Sequence, residues 1–307
     1  MTLRHLIELS TWPADDIRAI LERSADLKRP RREGIQEDAL RRKALGMFFE
    51  KPSTRTRISF EVAAQHLGAQ ALYIDMQGKR IGQRESLCDV ARVMSRYVDG
   101  ILARVYEHET VTELARESSV PVVNGLSDYA HPMQALADFM TAHEVLGRLS
   151  DFTLVYIGDG NNVARSLAVL ALKLGARMIV SAPPGYELAL DMTDRFGPGE
   201  PTPGEVRHIG DPHEAVREAD IVYTDVWASM GQEAESEKRR ADFAAWQINA
   251  ALMADAPAGA KFMHCLPAHR GEEVTDEVID SDRSIVYDQA ENRMHTAKAV
   301  LVELMGG

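Results

Sequence analysis

Short hydrophobic runs alternate with amphipathic stretches along the chain, and this alternation predicts strands and helices in turn. The first run, residues 44–50, is apolar and partly aromatic, as expected of a buried strand. Similar runs predict strands at 71–74, 100–103 and 120–124, with helical patterns between them. Because strands that alternate with helices favour right-handed βαβ crossovers, we expect a parallel sheet.

A second α/β unit is predicted to begin with the apolar run 152–157. We therefore expect an α/β fold of two domains, each a parallel sheet flanked by helices, with residues 1–147 in the first and 148–290 in the second. The last helix, over 291–305, has no following strand, so residues 291–307 are expected to pack back onto the first domain. The other predicted elements are helices at 13–29 and 162–174 and strands at 178–180, 206–209, 221–224, 262–265 and 285–287.

Composition excludes several classes of protein. The length of 307 residues fits about two domains. The hydrophobic content of 45% is ordinary for a soluble globular protein. A formal net charge of −12 argues against a nucleic-acid partner, since such binding needs a basic surface. Two cysteines, Cys88 and Cys265, argue against a disulfide framework and for a reducing cytoplasm. The N-terminal residues lack a signal-peptide core and no apolar run reaches the ~20 residues of a membrane span, so we expect a cytoplasmic protein outside membranes.

The segment Lys51–Arg57 follows the first strand and carries an unusual concentration of hydroxyl and guanidinium groups. Pro52 stops the strand, Ser53 or Thr54 is expected to cap the following helix, and Gly68 is expected to end it. Cations in the first turn oppose the helix dipole, so a helix with merely solvated arginines is disfavoured. A bound phosphate would make the cations favourable there, because helix N-termini attract anions and the cations would pair with the phosphate.

Other polar residues are predicted at the same edge of the first sheet. Arg104 ends the third strand, and His131 and Gln134 flank Pro132 at the start of a long helix. In parallel sheets ligands bind beyond the carboxyl ends of the strands, so these side chains should meet the Ser53 segment there. His131 alone would indicate only a capping role near the helix start. The convergence predicts an anion site.

The turn Gly158-Asp159-Gly160 resembles half of a dinucleotide-binding motif. Val163 stands where the third glycine of that motif is expected, and the next strand ends without a carboxylate to hold a ribose. We therefore set an NAD-dependent oxidoreductase aside. Asn161 and Asn162 instead offer amide side chains suited to a carboxylate or an amino group.

The segment 264–271 has the residue types of a metal site but not the spacing. His264, Cys265 and His269 are present without a CxxC or HExxH motif, and neighbouring strand residues face opposite sides. Cys265 as a covalent nucleophile would need a base and a lowered pKa. Arg293 is predicted in the first turn of the last helix, where the dipole alone would disfavour a cation.

Four stretches, in order, resemble the ornithine branch of the aspartate/ornithine carbamoyltransferase family. Residues 53–57 (Ser-Thr-Arg-Thr-Arg) and 131–134 (His-Pro-Met-Gln) look like its carbamoyl-phosphate signatures. Asp225 with 229–231 (Ser-Met-Gly), and 264–267 (His-Cys-Leu-Pro), look like its ornithine signatures. The resemblance implies transfer of the carbamoyl group of carbamoyl phosphate to the δ-amine of L-ornithine, giving L-citrulline and phosphate. It implies direct attack with no covalent enzyme intermediate.

The resemblance further implies a homotrimer with sites at subunit interfaces, a place in arginine metabolism, and neither metal nor organic cofactor. The catalytic residues that it implies are Arg55, Arg104, His131 and Cys265. The carbamoyl-phosphate contacts that it implies are Ser53, Thr54, Arg55, Thr56, Arg80, Arg104, His131, Gln134, Cys265, Leu266 and Arg293. The ornithine contacts that it implies are Asn162, Asp225, Ser229 and Met230.

Two positions depart from the family pattern. Arg80 stands where the family places a glutamine that reaches the neighbouring subunit's carbamoyl phosphate, with Gln77 and Gln83 nearby. Arg165 stands one helical turn after Asn162, where a smaller or neutral residue is usual. Two alternatives therefore stay open: a carbamoyltransferase for another amine, such as putrescine, lysine or an N-acylated ornithine, and a non-catalytic paralogue that retains the pocket.

Overall fold

The computed structural model describes residues 3–32, 38–228 and 233–306. The chain falls into two compact units, one formed by Met1–Met140 with Glu291–Gly307 and the other by Thr141–Ala290. The functional boundary that we place between residues 147 and 148 stays a prediction.

The first unit contains a four-stranded sheet in the order β2-β1-β3-β4, and every neighbouring pair of strands is parallel. All four strands therefore end at one edge. The strands are β1 (Ala44–Phe49), β2 (Gln70–Asp75), β3 (Gly100–Arg104) and β4 (Val122–Leu126). The helices up to the end of this sheet are α1 (Ala14–Arg32), α2 (Thr54–His66), α3 (Leu87–Met94), α4 (His108–Glu117) and α5 (Pro132–Leu146).

Burial in this sheet follows strand position. β3 is buried at every residue and β1 at all but its first, which explains their continuous apolar sequences. Strand β2 lies at the sheet edge and contains only exposed and half-buried residues. Helices α3 and α4 pack on the sheet through Ala91, Val111 and Leu114. The buried central strands β1 and β3 therefore position the segments that follow Phe49 and Arg104.

The second unit contains a five-stranded parallel sheet in the order β7-β6-β5-β8-β9. Its strands are β5 (Thr153–Ile157), β6 (Arg177–Ser181), β7 (Glu205–His208), β8 (Ile221–Thr224) and β9 (Lys261–His264). The helices that follow α5 are α6 (Asn162–Leu174), α7 (Pro212–Ala215), α8 (Ser236–Phe243), α9 (Ala250–Asp255), α10 (Asp276–Ile279) and α11 (Val286–Met305).

The predicted fold class is confirmed, because each unit is a parallel sheet flanked by helices. Central strand β5 is fully buried, and Val155, Val222 and Phe262 contribute to one core with Ile248 and Leu252. Strands that are covered on both faces read as unbroken apolar runs, which is why the sequence located them well. No helix in the described ranges combines the length and apolarity needed to cross a membrane.

Helix α1 is longer than its sequence predicts. Pro30 cannot donate a backbone N–H, so the pattern predicts an end at residue 29, yet the helix continues to Arg32. Two tertiary hydrogen bonds hold the helix just before Pro30: Lys28 donates to Asn292 (2.8 Å), and Lys298 donates to the carbonyl oxygen of Leu27. Lys28 is therefore a buried residue of the first unit.

The strand predicted at 285–287 is wrong. A single bridge joins Phe262 to Ser284, and helix α11 then begins at Val286, with Gln289 donating its N–H to the carbonyl of Ile285. A short apolar run does not distinguish a strand from a buried helix start. Arg293 consequently lies seven residues after the first residue of α11 rather than in its first turn, so the dipole argument for its placement does not hold.

Candidate active site

The N-terminus of α2 is organised by Ser53, at the carboxyl end of β1. Its hydroxyl accepts a hydrogen bond from the backbone N–H of Thr56 (3.3 Å), as predicted for a cap, and donates to the Thr56 hydroxyl (3.1 Å). Gly68 follows the last helical turn with a φ of +76°, the backbone conformation for which glycine is favoured. The cap fixes the direction of the Thr56 side chain.

The Thr56 hydroxyl is the point at which two arginines converge. Arg293 of α11 donates to it from Nη2 (2.8 Å), and Arg104 at the end of β3 donates from Nη1 (3.4 Å). All three residues are buried. Because two guanidinium groups lie against one neutral hydroxyl, this cluster is electrostatically prepared for an anion.

Gln134 connects Arg293 to the start of α5. Its carbonyl oxygen accepts from Arg293 Nη1 (2.8 Å), and its amide nitrogen donates to Asp138 (2.8 Å). The carboxylate of Asp138 thereby sets which way round the Gln134 amide lies. The sequence pattern provides no sign of Asp138, because a buried carboxylate inside an apolar helix carries no spacing signature.

His131 immediately precedes α5 and its carbonyl accepts the N–H groups of Gln134 and Ala135 (3.1 and 3.3 Å), as expected near the N-cap. Its ring is buried. Burial first, and then the positive charges of Arg293 and Arg104, hold the pKa of His131 well below its ordinary value. His131 is therefore a neutral polar group beside two cations.

Glu50 links the loops around this edge. Its buried carboxylate accepts from the N–H of Ile81 (2.6 Å) and of Tyr106 (2.9 Å), and lies 3.6 Å from Arg80 Nη1. Arg80 lies over the Tyr106 ring (4.0 Å) and pairs with Glu107 (3.5 Å). Within its own chain Arg80 is thus paired with two carboxylates, and the contact with a neighbouring subunit stays a prediction.

The remaining residues of the motif are arranged differently. Arg55 is half-buried and Thr54 is exposed. Arg57 lies over the Tyr73 ring (4.0 Å) and pairs with Glu61 (2.8 Å), one turn along α2. Lys51 is buried over the Tyr106 ring, and its pKa is lowered by burial and by Arg104. Ser53 and Thr56 of the motif therefore belong to the buried cluster, whereas Arg57 contacts Glu61 of its own helix and Tyr73 of β2.

Asp225, directly after β8, is the centre of the polar cluster in the second unit. Its carboxylate accepts from Cys265 Sγ (2.8 Å), from the N–H of Val226 (2.8 Å) and from Asn161 Nδ2 (2.8 Å). Asp225 is buried, so these donors replace water around the charge. The structure therefore brings together Asp225 and Cys265, two residues singled out from sequence.

Asn161 contacts Asp225 directly, although the family resemblance points to the next residue, Asn162. The side-chain oxygen of Asn161 caps α6 by accepting the N–H groups of Val163 and Ala164 (2.9 and 3.1 Å). Sequence identified the amide pair at 161 and 162 but not which amide reaches the carboxylate. Two adjacent asparagines at a helix start look alike in sequence.

Gly160 shows why the dinucleotide alternative fails physically. A Cβ at this position would lie 2.4 Å from the backbone nitrogen of Leu188, so the loop after β6 packs directly on the turn. The N–H of Gly160 donates to the carbonyl of Tyr186 (2.8 Å). The space in which a pyrophosphate would contact this turn is filled by protein backbone.

His264 is committed to the fold rather than available to a metal. Its Nδ1 accepts the N–H of Leu266 (2.8 Å) and its Nε2 lies 3.0 Å from buried Glu273. Among the described residues, one group of possible ligands, His269, Glu272 and Glu273, lies within 4.8 Å of one another, and it includes neither His264 nor Cys265. The set considered from sequence is therefore not assembled.

Other positions singled out from sequence have separate surroundings. Leu266 is half-buried, has a φ of +54° and packs against the core of the second unit. Arg165 pairs with Asp191 (2.7 Å), so its charge is balanced within the chain. Ser229 and Met230 lie outside the described residues.

Comparison with known proteins identifies the family. A model described as "Aspartate/ornithine carbamoyltransferase, carbamoyl-P binding domain" matches residues 4–144, and "Aspartate/ornithine carbamoyltransferase, Asp/Orn binding domain" matches 150–304. The chain belongs to the aspartate/ornithine carbamoyltransferase family. Thr56, Arg104, His131 and Gln134 fall in the first match, whereas Arg293 falls in the second match with the cluster at Asp225.

Relatives of this carbamoyltransferase-family chain are similar over their full length. "Ornithine carbamoyltransferase, anabolic" of Pyrococcus furiosus is 51% identical over 307 residues, covering 99% of this chain and 97% of the relative. The solved structure of ornithine carbamoyltransferase from that organism has a TM-score of 0.94, with 50% identity and coverage of 99% and 97%. The Thermus thermophilus structure of the same description has a TM-score of 0.88, with 44% identity and coverage of 99% and 100%.

The lowered pKa of His131 gives a direct prediction. The ring should be neutral at pH 7, and Arg293→Met should raise its pKa because one of the opposing charges is removed. Since the folded state binds the proton less readily than the unfolded state, this residue should lower stability as the pH falls below about 6.5. Ring-nitrogen NMR shifts measure the titration, with Arg57→Met as the control. An unsubstituted protein in which His131 titrates at its ordinary pKa would contradict the assignment.

Proposed function

We propose that this chain transfers the carbamoyl group of carbamoyl phosphate to the δ-amine of L-ornithine, giving L-citrulline and phosphate. The observation that carries the proposal is the donor-side cluster, in which Arg104 and Arg293 converge on Thr56 beside a neutral His131. Family membership and full-length relatives described as ornithine carbamoyltransferases support the same reaction. The description of one relative as anabolic favours the direction that forms citrulline.

The donor is bound at the N-terminus of α2. In this proposal Ser53, Thr54, Arg55 and Thr56 hold the phosphate, with N–H groups of the first helical turn adding to their hydrogen bonds. Arg104 bridges phosphate and carbonyl, and Arg293 completes the anion pocket. Guanidinium groups suit this task because their planar donors bind phosphate in two places at once.

The carbamoyl group and the acceptor are assigned by resemblance. His131, Gln134, Cys265 and Leu266 contact the carbamoyl group, and Arg80 contacts the donor of a neighbouring subunit. The residues that bind the amino and carboxylate groups of L-ornithine are Asn162, Asp225, Ser229 and Met230. The hydrogen bond between Cys265 and Asp225 (2.8 Å) supports a joint role for these two side chains in orienting the amine.

The chemical step is a direct displacement. The neutral δ-amine attacks the carbamoyl carbon, a C–N bond forms, and the C–O bond to phosphate breaks with its electron pair leaving on phosphate. The amine loses one proton, which the departing phosphate accepts. Negative charge grows on the carbonyl oxygen before the C–O bond breaks, and donors from Thr56, Arg104 and His131 stabilise it.

A neutral His131 suits that role. A hydrogen-bond donor aimed at a developing oxyanion is worth about 3–4 kcal/mol where mutagenesis has measured one. Burial, and then the charges of Arg293 and Arg104, keep the imidazole neutral by lowering its pKa, so it offers a hydrogen bond without adding a third fixed cation. Catalytic roles are thus proposed for Arg55, Arg104, His131 and Cys265, none of which forms a covalent bond. Holding two substrates together supplies much of the remaining acceleration.

We further propose a homotrimer. Strand β2 has a half-exposed edge, and nearby Ile58 and Leu72 are 48% and 39% exposed, which suits a surface covered by another copy. Sites at subunit interfaces follow from the family pattern at Arg80. A cytoplasmic location is proposed because neither Cys88 nor Cys265 forms a disulfide.

The acceptor assignment is tested by comparing amines at a fixed, saturating concentration of carbamoyl phosphate. We expect kcat/KM for L-ornithine to exceed that for putrescine, L-lysine, N-acetylornithine and L-aspartate by about a hundredfold or more, because a buried site built for defined polar groups rejects amines that leave those groups unpaired. The products are measured by mass spectrometry and by phosphate release. A preference for another amine would reject the ornithine assignment, and no phosphate release with any amine would favour a non-catalytic paralogue.

The donor assignment is tested by two arginines of one helix. Arg55→Met should lower kcat/KM for carbamoyl phosphate by about a hundredfold or more, since it removes a charged donor from the phosphate. Arg57→Met should stay within about threefold, because its partners are Glu61 of the same helix and Tyr73 of β2. Steady-state kinetics and thermal unfolding are measured together. Equal effects of the two substitutions on turnover would reject the phosphate role of Arg55.

The absence of covalent catalysis is tested at Cys265. Cys265→Ser keeps a hydroxyl donor toward Asp225 and should retain turnover within about tenfold, whereas Cys265→Ala removes the donor and should lose more. Steady-state kinetics with both substrates measure the difference. If the serine variant binds both substrates normally and has no turnover, the nucleophile hypothesis returns.

A further inference from the structure

The side chain of Asn161 makes hydrogen bonds both to helix α6 and to Asp225, the residue after β8. Its Oδ1 atom accepts the N–H groups of Val163 (2.9 Å) and Ala164 (3.1 Å) and the hydroxyl of Tyr156 (3.3 Å). Its Nδ2 atom donates to Asp225 Oδ2 (2.8 Å). The oxygen end of the amide therefore belongs to helix α6, and the nitrogen end belongs to the carboxylate after β8.

Capping alone does not explain the choice of asparagine. Serine, threonine and aspartate also cap helices well, but an ionised aspartate has no donor, and a serine or threonine hydroxyl must accept and donate at one and the same oxygen atom. An asparagine meets both requirements with a single side chain. The identity of residue 161 is therefore explained by Asp225 as much as by α6.

Asp225 is held by three donors in different directions. Oδ1 accepts from the N–H of Val226 and from Cys265 Sγ, while Oδ2 accepts from Asn161. The first two donors leave the carboxylate free to tilt about Oδ1, and the hydrogen bond from Asn161 removes that freedom. A carboxylate that is 7% exposed has little water to replace a lost donor.

The support for Asn161 is itself buried. Tyr156 donates its hydroxyl to Asn161 and stacks on Tyr223 of the neighbouring strand, with ring centroids 5.7 Å apart. Burial and the nearby charge of Asp225 raise the pKa of Tyr156 well above its ordinary value, so the phenol stays a donor at physiological pH. The amide is therefore held with its oxygen toward α6 and its nitrogen toward Asp225.

We propose that Asn161 is a positioning residue that fixes the Asp225 carboxylate relative to the first turn of α6, where Asn162 lies. The inference rests on the proposed function, in which Asp225 and Asn162 bind the amino-acid acceptor. Asn161 acts through Asp225 and needs no contact with the substrate. Its loss should weaken use of the acceptor and leave use of the donor unchanged.

Three substitutions at residue 161 separate this role from capping. Asn161→Ser keeps an oxygen for the cap and loses the amide nitrogen Nδ2 that donates to Asp225. Asn161→Asp keeps the cap and places a second carboxylate against Asp225. Asn161→Ala loses both contacts. The matched control is Asn249→Ser, since Asn249 caps α9 in the same unit by accepting the N–H of Leu252 (3.0 Å).

For each variant, KM is measured for both substrates, together with kcat, the thermal unfolding midpoint, and binding of L-norvaline in the presence of carbamoyl phosphate. L-Norvaline has the amino and carboxylate groups of the acceptor but no δ-amine. We expect Asn161→Ser to raise KM for L-ornithine about tenfold or more, with KM for carbamoyl phosphate within about twofold and an unfolding midpoint close to that of Asn249→Ser. Asn161→Asp should lose more acceptor affinity than Asn161→Ser, and Asn161→Ala should add a loss of stability.

Acceptor kinetics of Asn161→Ser equal to those of the unsubstituted protein would overturn the proposal and leave capping as the whole role. So would a similar rise in KM for both substrates, because a general structural defect does not discriminate between them. Failure of the proposed function has a different result: the unsubstituted protein would then form no citrulline at any concentration of L-ornithine.

Discussion

The convergence of Arg104 and Arg293 on one threonine hydroxyl is the constraint on which the first unit depends. Two buried cations within hydrogen-bonding distance of Thr56 repel each other, and burial removes the water that would screen them. The surroundings are arranged to tolerate this. Ser53 fixes the hydroxyl, Gln134 accepts from Arg293, and His131 stays neutral. An anion is the natural partner that completes the arrangement.

Sequence predicted those parts of the site that follow from periodicity and strand ends. Ser53 after a buried strand, Arg104 at the end of another and His131 at a helix start all lie where parallel topology places them. Arg293 was placed wrongly, because the apolar residues before it resemble a strand although they begin α11. Periodicity cannot separate these two cases over three residues. The contact of Arg293 with Thr56, across more than two hundred residues, has no local signature.

In the second unit, the limits of sequence are chemical rather than topological. Apart from the run 285–287, the predicted strands and the start of α6 agree with the structure, yet the amide that contacts Asp225 is the cap itself and not its neighbour. Likewise the unusual Arg165 is balanced by Asp191, a residue in the loop after β6 that no pattern connects to it. Which atoms meet depends on side-chain direction and loop path, and neither has a period in sequence.

The close approach of Leu188 to Gly160 restricts the evolutionary possibilities of this fold. The second unit shares a strand, a glycine turn and a helix with nucleotide-binding proteins. The obstruction, however, consists of main chain and not of a side chain, so no single substitution removes it. Evolution of a nucleotide-binding site at this turn would require the whole segment after β6 to follow a different backbone path. Two classes of protein can therefore share this motif although neither can readily acquire the ligand of the other.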